Sequence, residues 1–83
     1  MSERKLPISD RLLLLMHNLG IVDEKRSQTA DELRRTTKIP VQELVNSLRK
    51  HEESGYVKGT NDQKAMRYFL TGKGIIRVSS TFT

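Results

Sequence analysis

The sequence has no cysteine and no tryptophan, and two tyrosines with two phenylalanines make up its whole aromatic content of 5%. Without cysteine there is no disulfide framework, no thiolate metal cage and no thiol nucleophile, and the expected setting is a reducing cytoplasm. With so few aromatic rings the core must rest on Leu, Ile, Val and Met. The same scarcity argues against RNA and single-strand readers that stack bases on exposed rings. Long apolar runs are missing as well. The longest, Leu12 to Met16, falls far short of the roughly 18 residues that cross a bilayer. The basic start at Arg4 and Lys5 does not make it a signal peptide, because Pro7, Ser9, Asp10 and Arg11 intervene and no small-residue cleavage site follows. No membrane partner is expected.

At 83 residues the chain reads as one small domain. It has little room for a deep substrate cavity of roughly 300–1,000 Å³. His17 and His51 have no acidic pair at metal-ligand spacing, and Gly72-Lys73-Gly74 lacks the frame of a phosphate-binding loop. No enzyme activity, cofactor, metal or small-molecule ligand is expected.

What the chain does have is positive charge. Lys and Arg number 15 against 10 Asp and Glu, a net charge of +5. That balance favours a polyanionic partner, nucleic acid first. From Ser54 onward, Lys58, Lys64, Arg67, Lys73 and Arg77 face a single acid, Asp62, so most of the net charge lies in the last third.

The apolar pattern divides the chain into residues 1–8 as an N-terminal arm, 9–78 as the domain and 79–83 as a loose tail. Ser9 or Asp10 is placed to cap a first helix that ends near Leu19, with Gly20 left-handed behind it. Leu12, Leu15, Met16 and Leu19 share one face of that helix. Leu13 and Leu14 lie off it, so the helix is either central in the fold or covered by a second copy, with Leu13 and Leu14 as dimer contacts. Residues 23–28 read as a loop. Thr29-Ala30-Asp31-Glu32 is a capping box for a second helix over 30–37. Lys38-Ile39-Pro40 forms a tight break, with Pro40 opening a third helix that runs to Glu53. Its buried stripe is Val41, Leu44, Val45 and Leu48. Residues 56–58 and 65–70 pair as a hairpin around a turn over 59–63. Ile75 to Val78 forms either a short last helix or a third strand.

One helix, a tight helix-turn-helix and a hairpin, in that order, resemble the winged helix-turn-helix superfamily over roughly residues 10–74. Glu53-Ser54-Gly55-Tyr56-Val57 lies where members of that superfamily often have Leu-Glu-x-x-Gly-Leu-Val. Asp62-Gln63-Lys64, five residues, then Leu70-Thr71-Gly72-Lys73-Gly74 resembles the wing signature of MarR-type regulators, D-x-R, five residues, L-T-x-x-G. The resemblance implies an α+β fold with a three-helix core and a two-stranded wing. It implies that Lys64, standing for the usual Arg, enters or borders the minor groove, that Asp62 holds it in place, and that Thr71 caps the next helix. His51 stands where the pattern prefers Leu and reads as a partly buried histidine with a local hydrogen bond. The chain is short for the extra dimerisation and ligand-sensing helices of the family.

The function expected is sequence-specific binding of double-stranded DNA by a small transcription regulator, alone or as a homodimer. The third helix would lie in the major groove, where Gln42 and Asn46 suit adenine, Arg49 and Lys50 suit guanine or phosphate, and Glu43 suits a cytosine amine or steadies a basic neighbour. Thr29, Arg34, Arg35, Lys38, Lys58, Asn61, Lys64 and Arg67 are the candidates for backbone and wing contacts. The competing reading is a winged-helix module that binds protein within a transcription or replication complex. Its basic wing argues against that reading, and its doubly apolar first helix argues for it.

Overall fold

The computed structural model describes residues 6–82, so Arg4 and Lys5 of the expected arm lie outside the described residues. The first helix, α1 (Ile8–Asn18), begins one residue inside that arm. Neither Ser9 nor Asp10 caps it. Pro7 holds the N-cap position, and its carbonyl accepts the Arg11 N–H at 2.9 Å. A proline here loses nothing, because the first amide groups of a helix have no partner inside it. Leu12, Leu13 and Met16 are fully buried. The question of the second apolar face is thereby answered within one chain for Leu13: it is a core residue and offers no surface to a second copy. Leu14 is half-buried against the same core.

Gly20 follows with φ +74°. The expected loop over 23–28 is more ordered than its composition suggests. Asp23 Oδ1 accepts the Arg26 N–H at 2.9 Å and caps a single 3-10 turn, Glu24–Arg26. β1 (Gln28–Thr29) then pairs antiparallel with the later strand β3 (Met66–Leu70). A two-residue strand is too short to show a period of two, which is why the sequence pattern does not reveal it.

The capping box is formed in full. Thr29 Oγ1 accepts the Glu32 N–H at 3.1 Å, and Glu32 Oε1 accepts the Thr29 N–H at 3.0 Å, at the start of α2 (Ala30–Thr37). Lys38 ends this helix in the left-handed region, φ 65°, at a cost of roughly 1–2 kcal/mol for a residue with a Cβ. The turn in exchange drives Ile39 into the core, fully buried.

Pro40 is the N-cap of α3 (Val41–Ser54), one position before the helical start expected of it. The buried stripe of α3 is also displaced. Leu44, Ser47, Leu48 and His51 are buried, whereas Val41 is 51% exposed. A helical period fixes a side chain's angle around the axis but not how far along the axis its neighbours extend. Val41 has the right angle and sits beyond the end of the core. Gly55 closes the helix at φ +83°, a conformation that strains any residue with a Cβ.

β2 (Val57–Asn61) is longer than expected, taking in Gly59, Thr60 and Asn61, and the turn moves to 62–65. The Asp62 N–H donates to the Ala65 carbonyl at 3.0 Å across it. The sheet order is β1-β3-β2, so the wing is part of a three-stranded antiparallel sheet rather than a two-stranded hairpin alone. The C-terminal segment is α4 (Gly72–Phe82), a helix that includes most of the expected tail. One core of Leu12, Leu13, Met16, Ile21, Leu33, Ile39, Leu44, Leu48, Val57, Leu70 and Val78 joins all four helices to the sheet.

Candidate nucleic-acid interface

α3 turns its polar side outward. Gln42, Asn46, Arg49 and Glu53 recur at helical spacing along one exposed line, flanked by exposed Glu43 and Lys50. From Gln42 to Arg49 that line runs about 10 Å along the axis, the length of about three base-pair steps. Gln42 Nε2 donates a long 3.5 Å hydrogen bond to Asn46 Oδ1, which orients the two amides side by side. Glu43 forms no ion pair among the described residues, so it does not steady a basic neighbour.

The turn of the helix-turn-helix carries a separate basic group. Arg34, Arg35 and Lys38 gather around Ile39 and Pro40. Asp31 pairs with Arg34 at 3.1 Å and Arg35 at 3.0 Å, all at the surface. Exposed pairs of this kind contribute about 0–1 kcal/mol, so both guanidinium groups remain free to exchange partners.

On the wing, Lys58, Asn61 and Lys64 are exposed. Asp62 does not hold Lys64. Its Oδ1 accepts the Gln63 N–H at 2.8 Å and shapes the turn instead. Two other candidates are tied into the fold. Thr29 is committed to the capping box. Arg67 is half-buried, donates to the Ser27 hydroxyl at 3.2 Å and to the Ser27 carbonyl, and lies 3.7 Å from Glu32. The expected free cation on the strand is thus a clamp between β3 and the segment before β1.

Glu52 was not singled out by sequence and has a place here. Its carboxylate would lie 2.9 Å from a Cβ on Gly59, so the C-terminal half of α3 rests directly on the wing. Burial, and then this carboxylate, raise the Tyr68 hydroxyl above its ordinary pKa, so the hydroxyl stays protonated. His51 is more deeply buried than the sequence suggests, and its hydrogen bond is not local but reaches α1, 42 residues away. It is 4% exposed, and its Nε2 lies 2.8 Å from the Ser9 carbonyl. A carbonyl can only accept, so Nε2 carries the proton. Burial lowers the His51 pKa, outweighing the Ser9 hydrogen bond and Asp10, which raise it.

Among the described residues no helix is long and apolar enough to cross a membrane, and no group of three His, Cys, Asp or Glu side chains could hold a metal ion.

No protein-family model and no curated protein sequence matches the chain. Its fold is shared by solved structures. The DNA-binding TubR fragment from Clostridium botulinum aligns with a TM-score of 0.73 at 23% identity, covering 90% of this chain and 95% of that one. A mutant of Lactococcus lactis ZitR aligns with a TM-score of 0.64 at 18% identity, covering 90% of this chain but 49% of that one. Four helices and a three-stranded antiparallel sheet in this order are the winged helix-turn-helix fold.

Proposed function

We propose that this winged helix-turn-helix chain binds double-stranded DNA in a sequence-specific way and serves as a small transcription regulator in the cytoplasm. The observation that carries the reading is the outer face of α3. Gln42, Asn46 and Arg49 stand exposed in one line on a helix whose other side is locked into the core. A helix of this width fits the major groove, and amide and guanidinium groups are the ones that pair bidentately with adenine and guanine. Glu43, unpaired in the free protein, suits a cytosine amine. Lys58, Asn61 and Lys64 would follow the adjacent minor groove. The fold likeness to a DNA-binding TubR fragment supports the same reading.

Arg34, Arg35 and Lys38 are the backbone contacts at the near edge of α3, exchanging Asp31 for phosphate. If two copies bind together, their α3 helices should sit about 34 Å apart on one side of the duplex. Leu14, at the edge of the core, is the residue of the original pair that could still meet the second copy. The protein-interaction reading loses part of its basis, because Leu13 is enclosed within its own chain.

The test is a fluorescence-anisotropy titration of the chain on random and selected duplexes at two salt concentrations. Salt-dependent binding with a preferred sequence is the expected result. Absence of binding to any duplex at low salt refutes the proposal.

A further inference from the structure

The 3-10 turn Glu24–Arg26 carries two exposed cations, Lys25 and Arg26, that belong to neither α3 nor the wing. They rim an open cleft of about 510 Å³ whose other charged walls are Arg35, Arg67 and Glu32. Four cations therefore face one carboxylate. That carboxylate is already engaged, accepting the Thr29 N–H at 3.0 Å and lying 3.7 Å from Arg67. Asp31, the acid nearest to Arg35, holds it only by a solvent-exposed pair.

The cleft adjoins a groove on either side. Arg35 is also a wall of the groove at the helix-turn-helix turn, beside Lys38. Ser27 and Arg67 are also walls of the cleft that reaches Thr60 and Asn61 at the wing. The shared residues set the three depressions side by side in a row from the start of α3 to the wing. The positive stretch of this row runs from Lys38 to Arg26, and Glu24 and Asp62 close it at the wing end.

The turn that carries the two cations is also held in position. Asp23 caps their turn at 2.9 Å, the Ser27 hydroxyl donates to the Glu24 carbonyl at 2.6 Å, and Arg67 fastens Ser27 to β3. A charge on a fixed turn can meet a polyanion with less loss of freedom than one on an open loop.

We propose that Lys25 and Arg26 are DNA-phosphate contacts, gripping the backbone along this row beside the segment read by α3. The inference rests on the duplex-binding reading above and adds a contact site outside the recognition helix and the wing. Contacts of this kind carry no base information and act through counterion release.

The experiment compares the full chain with Lys25→Gln/Arg26→Gln and with the charge-preserving Lys25→Arg/Arg26→Lys, on a random-sequence duplex across a salt series. Both side chains are exposed, and the cap uses only the Arg26 backbone, so the melting curve should not move. Each phosphate contact contributes about 0.9 to the slope of log K against log salt, so the neutral pair should lower the slope by about 1.8. The charge-preserving pair should keep it. Wild-type binding with an unchanged slope in the neutral pair overturns this inference and leaves the DNA reading intact. A wild type that binds no duplex overturns the DNA reading itself.

Discussion

The Thr71 hydroxyl donates a hydrogen bond to the Gly55 carbonyl at 2.6 Å and accepts one from the Gly74 N–H at 3.0 Å. One side chain thereby joins the end of α3, the end of β3 and the start of α4. The capping role that the family resemblance implies for this threonine is real, and the bond to Gly55 adds a second role. Replacing Thr71 by Val keeps the shape and removes both bonds, leaving the Gly55 carbonyl without its partner. Urea unfolding should show a loss of about 1–3 kcal/mol, with Thr71→Ser recovering most of it. A Val variant as stable as the wild type would mean that the junction is held by packing alone.

The same junction depends on the absence of a side chain at Gly74. A Cβ there would collide with the Tyr56 carbonyl and stand 2.8 Å from Leu70 Cδ1. The carbonyl is backbone and cannot swing aside, so Gly74→Ala must push α4 away from the sheet. Overpacking of this kind costs about 1–3 kcal/mol, and the thermal midpoint should fall accordingly. Gly59→Ala makes a useful contrast, since the atoms it would meet are the ends of the Met66, Glu52 and Tyr68 side chains, which can move. Its effect should be the smaller of the two.

Buried His51 makes stability depend on pH. Burial lowers its pKa in the folded state below the ordinary value of about 6.5, so the unfolded chain binds the proton more readily. Stability is then full above about pH 6.5 and declines as the pH falls from there towards the lower folded value. His51→Leu removes the proton-binding group and fills the same site with an apolar side chain. Melting curves between about pH 7.5 and about pH 5.5 should lose part of their pH dependence in this variant. Equal dependence in the two proteins would assign it to other groups.

The two parts of the proposed interface should separate in binding experiments. Asn46→Ala should relax base preference at one position, costing roughly 1–3 kcal/mol on the preferred duplex and little on random DNA. Lys64→Ala should weaken binding to all sequences and lower the salt slope by about 0.9. Equal losses on both duplexes for Asn46→Ala would remove its base-reading role, and an unchanged slope for Lys64→Ala would remove the wing contact.

The order of the elements was legible because each leaves a local mark. The Thr29–Glu32 box, the Ile39-Pro40 break and Gly55 each act within one helical turn of the backbone, and each behaves in the folded chain as its chemistry dictates. The exposed face of α3 was legible for the same reason, through Gln42, Asn46 and Arg49. The side-chain partners were not. Arg67 and Ser27 are forty residues apart, and nothing local distinguishes a lysine or arginine that meets solvent from one that clamps a strand.

The sequence by itself determined the helix-turn-helix, the basic character of the hairpin and the lack of any thiol chemistry, because caps, proline breaks, periodicity and composition are properties of short segments. Only the tertiary structure decided that Leu13 is core, that Val41 is not, that β1 completes the sheet, that α4 extends through the expected tail, and that Lys25 and Arg26 stand in the same row as Lys38. Those outcomes depend on how far each element extends along its neighbours and on which distant residues fill the same space. A one-dimensional pattern gives the angle of a side chain around its helix, and packing supplies the partner.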